Sequence, residues 1–161
     1  MAASQSLGAL QITNNTAVTI QSSTTTQRIL TLTGSVGDEF SIGASSSVLL
    51  TNITNSVSIV FATGTGMTGT IAGTLTVAGA SSTATSATAN SFITTGGTGT
   101  IVTISSTGVI NNTATTNITT NGNVTGSLTS LIFSNGSQYN VSGATTGAFY
   151  IPLATSCQWY I

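Results

Sequence analysis

A chain of 161 residues and 16.0 kDa is the size of one domain, and only 2% of it is charged: Arg28, Asp38 and Glu39, with no Lys and no His. Globular chains typically carry roughly 25% charged residues, so this balance excludes the phosphate contacts of nucleic-acid binding and most of the titratable groups that acid–base catalysis recruits. Thr (35), Ser (23), Gly (18) and Asn (12) exceed half of the chain, yet Leu, Ile, Val and Phe total 40, a fraction above the roughly 20% that signals disorder, and the chain reads as folded.

In chain order, residues 1–8 are small and polar and read as a flexible N-terminal arm, ahead of a single all-β domain over residues 9–161. The β-branched residues Thr, Val and Ile number 60; they lose freedom in helices and pack well on pleated surfaces. Period-two alternation or short apolar runs predict strands at 10–13, 17–21, 28–33, 39–42, 56–61, 70–77, 100–104, 124–133, 138–141 and 148–153. The segment Gly34-Ser35-Val36-Gly37-Asp38-Glu39-Phe40 reads as a hairpin turn and 80–90 as a loop, while no window repeats at a helical period. About ten short strands with Gly, Asn and Ser punctuation imply a sandwich, jelly roll or barrel.

The alternative is a β-helix or solenoid, which internal repeats would betray. Thr68-Gly69-Thr70-Ile71 recurs as Thr98-Gly99-Thr100-Ile101 after 30 residues, and Thr51-Asn52-Ile53-Thr54 recurs as Thr116-Asn117-Ile118-Thr119 after 65. These offsets share no period.

Catalysis finds no constellation. Asp38 and Glu39 are adjacent, so on a strand they point to opposite faces and cannot flank one sugar as a carboxylate pair. No serine has a histidine to act as its base. Arg28 is expected to pair locally with Asp38 or Glu39; a Ca²⁺ site is the weaker use of two acids. Gly64-Thr65-Gly66 lacks the Lys-Ser/Thr of a phosphate loop. No cofactor and no metal are expected. Cys157, the sole cysteine, reads as a small buried hydrophobe.

Seven Asn-Xaa-Ser/Thr sequons, at Asn14, Asn52, Asn111, Asn117, Asn123, Asn135 and Asn140, are close to chance in so Ser/Thr-rich a chain. The aromatics crowd the last 29 residues, where Pro152 interrupts the strand 149–153. Phe149, Tyr150, Trp159 and Tyr160 are candidates for a subunit contact, since aromatics supply large buried area; the alternative is an ordinary core strand. Irregular Thr-Xaa-Thr pairs raise an ice-binding surface, and Trp159 with Tyr160 a carbohydrate site, as a third reading.

Free β-proteins blunt their strand edges with Lys, Pro or inward charges; this chain has no Lys and one Pro. Edges without such protection suit a permanent assembly. Within that class, the composition, size and all-β pattern resemble small decoration or cement proteins of tailed-phage heads, and the run Leu30-Thr31-Leu32-Thr33-Gly34 to Gly37-Asp38-Glu39-Phe40-Ser41-Ile42 looks like hairpins common in phage structural β-barrels. The resemblance implies a trimer seated on the major capsid protein, with residues 1–8 laid on the capsid or a neighbour. The expected partners are thus the chain itself and another virion protein, with neither nucleic acid nor membrane. With no signal peptide visible at the start, the expected location is a virion assembled in the host cytoplasm. The alternative function is a subunit of an extracellular filament or adhesin joined by donated strands.

Overall fold

The computed structural model describes residues 1–22, 26–34, 37–52, 56–62, 66–78, 90–94, 99–113, 124–127, 129–142 and 158–160. Numbered in chain order, the strands fall into three sheets. The first holds β1 (Gln5–Leu7), β4 (Arg28–Leu32), β7 (Val57–Phe61), β10 (Ser91–Ile93) and β13 (Val124–Thr125). The second holds β2 (Leu10–Ile12), β5 (Gly37–Ile42), β8 (Met67–Ile71), β11 (Ile101–Ile104) and β14 (Leu131–Phe133). The third holds β3 (Ala17–Ser22), β6 (Ser47–Asn52), β9 (Thr74–Val77), β12 (Val109–Asn112), β15 (Gln138–Val141) and β16 (Gln158–Tyr160).

From β1 to β15 each strand pairs in parallel with the strands three places before and after it. The chain therefore winds as a coil, one strand per side, and five such coils stack along an axis among the described residues, with β16 extending the third sheet. This is a parallel β-solenoid. It corrects the sandwich, jelly-roll or barrel expectation: alternation marks an element with one buried face, and a coil side and a sandwich strand share that pattern. The hairpin expected at 34–40 is corrected too, because β4 and β5 do not pair but belong to different sheets.

Like residues stack on like inside the coil. Ile12, Ile42, Ile71, Ile104 and Phe133 form one column through the second sheet, and Val48, Leu75, Ile110 and Tyr139 form another through the third. In the first sheet Leu30, Ile59, Phe92 and Val124 stack in register. Phe61 meets Phe92 edge-on at 5.8 Å, and Phe40 reaches across from the second sheet to 5.2 Å from Phe92. These rings knit three successive coils together, the geometry in which aromatic pairs contribute beyond their area.

Two expected strands are each two. The run 70–77 breaks into β8 and β9, and 124–133 into β13 and β14. At the first break only Ala72 and Gly73 turn the corner; a side chain on Gly73 would fall on the carbonyl oxygens of Ser46 and Gly43 in the coil beneath. Register advances 30 residues from Leu10 to Phe40, 27 from Ser47 to Thr74 and 35 from Thr74 to Val109. Corners of unequal length explain why no fixed offset was visible: Thr68 pairs with Ile101, not with its sequence double Thr98.

Candidate functional site

Three features of the solenoid bear on function. The first is a ladder on the outer face of the third sheet. Asn140 Nδ2 donates to Asn111 Oδ1 at 2.7 Å, and Asn111 Nδ2 donates to Thr76 Oγ1 at 3.4 Å, linking β15, β12 and β9. Stacking in register places one polar residue directly above another, so amides and hydroxyls bond to one another without charge, with Asn140 Oδ1 left unpartnered. The same economy operates inside the coil. Ser91 Oγ donates to Ser58 Oγ at 2.7 Å, Asn90 Oδ1 accepts the Val57 amide at 2.7 Å, and Thr94 and Ser130 share a hydroxyl bond at 3.0 Å.

The second is the bulge in β5. Register slips between Asp38 and Phe40, which turns Glu39 into the core while Asp38 stays exposed. Glu39 is 2% exposed; its Oε2 accepts the Thr68 amide at 2.7 Å, and its Oε1 has no partner. Gly34 makes the room, since a side chain there would overlap Glu39 Cγ. Arg28 lies on β4 of the first sheet and the two acids on β5 of the second. Asp38 Oδ1 accepts from the Thr68 hydroxyl at 3.3 Å, so both acids are tied to the strand beside them.

The third is the end of the solenoid formed by β1, β2 and β3, each terminal in its sheet. Among the described residues no strand pairs beyond this end, and a depression of about 330 Å³ opens there, walled by Leu7, Leu10, Val18, Ile20 and Leu30, with Met1 packed at its edge. Residues 1–8, expected as an arm, carry β1, whose Gln5 to Leu7 pair with Leu30 to Leu32. The Met1 amino group donates to the Gln21 carbonyl of β3.

Of the expected contact residues, Phe149 and Tyr150 lie outside the described residues, as do Cys157 and Pro152. Trp159 and Tyr160 belong to β16, in register with Tyr139 and Asn140. Asn111 and Asn140, read earlier only as sequons, are half-buried ladder members, whereas Asn14 and Asn135 sit exposed at turns between the second and third sheets. Burial raises the Tyr139 phenol above its ordinary range, against the opposing effect of its hydrogen bond to Asn112. The ladder escaped the sequence reading because its members are 29 and 35 residues apart. Among the described residues no three His, Cys, Asp or Glu side chains converge on a point that could hold a metal, and no helix is long and apolar enough to cross a membrane.

The fold and these surfaces define a charge-poor parallel β-solenoid. Compared with known proteins, the chain matches no family model, no curated protein and no solved structure.

Proposed function

We propose that this chain is a non-catalytic, self-associating structural subunit of a virion's exterior, a short rigid rod rather than a globular plug. The observation that carries this reading is the way polar groups are used. Among the described residues, Thr, Ser and Asn side chains bond from coil to coil, as in Asn140–Asn111–Thr76 and Ser91–Ser58. A stack of parallel coils is stiff along its axis and repeats its outer surface from coil to coil, the properties of a coat or appendage element. Contacts built from neutral hydrogen bonds and apolar area are insensitive to ionic strength, unlike exposed ion pairs. Sedimentation of the purified chain at low and high salt tests this directly. An oligomer that persists unchanged at both supports the reading; a monomer at every concentration and salt removes it. Peptides of this chain in density-banded virions would fix the setting. Their absence, with N-glycans on Asn14 or Asn135, would point instead to an extracellular filament, the reading that the exposed turn positions of these two sequons favour.

A further inference from the structure

The solenoid's first end is the place where its solvent-protected architecture stops short. Leu32, Leu50 and Phe61 in the inner coils are fully buried, while Leu7 in β1 is 38% exposed and Leu10 and Val18 are only partly covered. Beside this open core run three strands that each pair on one side only. Natural edges of this kind are protected by Lys, Pro or inward charge, and residues 1–27 contain no charged side chain and no proline. The charge at this end is the Met1 ammonium group, which is engaged by the Gln21 carbonyl.

We propose that this end docks on the same end of a second copy, forming a two-fold dimer in which the two first coils stack across the axis. This rests on the self-association reading above and names its surface. A two-fold axis perpendicular to the solenoid reverses the winding, so strands meet antiparallel, one sheet facing itself and the other two exchanging. The strand lengths suit one such arrangement. β3, with six residues, lies on its own copy, while β1 and β2, three residues each, pair with one another. The two depressions then face each other, and Leu7, Leu10, Val18 and Ile20 gain the apolar covering that inner coils give their equivalents. The first coil runs from Gln5 to Ser22 along this rim, close to the lower bound of the roughly 20–30 residues a side that standard interfaces use. Isologous pairing also closes, so it yields a dimer and no fibre.

The test is sedimentation velocity on the full chain across a wide dilution series, with Leu7→Lys, Thr19→Lys and Ile132→Lys alongside and far-UV circular dichroism to confirm folding. Leu7 and Thr19 line the depression, whereas Ile132 is 39% exposed on the flank at β14. The expected result is a particle of twice the 16.0 kDa chain mass that both end variants convert to monomer and Ile132→Lys leaves intact. Fibres from the unmodified chain would overturn the proposal. So would an oligomer that folded Leu7→Lys and Thr19→Lys retain, although self-association itself would then stand. A monomer at all concentrations would overturn both.

Discussion

Glu39 holds the amide of Thr68 through its Oε2 at 2.7 Å from inside the solenoid, bridging β5 to β8 at the bulge where their regular pairing slips. The side chain replaces the backbone acceptor that the bulge removes, since a buried amide left unpaired is costly. Glu39→Gln keeps a carbonyl oxygen for Thr68 and takes an ionisable group out of the core; its midpoint of thermal unfolding is expected at or above that of the unmodified chain. Glu39→Ala strips the acceptor and leaves a void, at a cost of about 1–3 kcal/mol. Equal losses in both variants would show that the acceptor is not what matters.

The Gly73 corner offers a second test. Any side chain there meets backbone oxygens of Ser46 and Gly43, which cannot rotate away. Gly73→Ala is expected to destabilise by about 1–3 kcal/mol through overpacking. Gly8, with open space around it, serves as the control, and Gly8→Ala is expected to stay within about 0.5 kcal/mol. Guanidinium unfolding of both variants compares them.

For the ladder, Asn111 is the middle rung and loses two partners on truncation, Asn140 one. Asn111→Ala is expected to be the more destabilising. A double-mutant cycle between Asn111→Ala and Asn140→Ala should give a coupling of about 0.5–1.5 kcal/mol. A coupling near zero would mean that the amides bond to water as well as to each other.

Tyr139 links stability to alkaline pH. Its folded pKa is raised above the ordinary value of 10.0 by burial. The unfolded chain then releases the phenolic proton first, so the stability linked to this group is complete below about pH 10 and is lost as pH rises beyond it, with a slope of at most about 1.4 kcal/mol per pH unit. The difference between the unmodified chain and Tyr139→Phe isolates this residue. Unfolding curves from about pH 8 to about pH 11 should show the two lines converging as pH rises.

Much of the local structure was legible. Leu30 and Leu32, Ile59 and Phe61, and Leu75 and Val77 face inward as their alternation foretells. The strands β6, β10 and β12 were not foreseen, because the apolar stretches Val48 to Leu50, Phe92 to Ile93 and Val109 to Ile110 are too short to show a period. The corners at Gly73 and at Gly126 to Ser130 were invisible because the apolar and polar residues around them continue a strand-like run. Neither the ladder nor the open end was legible, since each depends on which residues stand one coil apart.

Side-chain branching and composition act residue by residue, and from them alone follow the β-structure, the apolar interior and the near absence of charge. That the strands wind as a coil, that Asn111 stands between Thr76 and Asn140, and that Leu7, Leu10 and Val18 end at an unpaired rim emerges only from how the chain folds back on itself. The reason is that parallel pairing joins residues about thirty positions apart through corners of unequal length, and no local pattern records which partner lies across the gap.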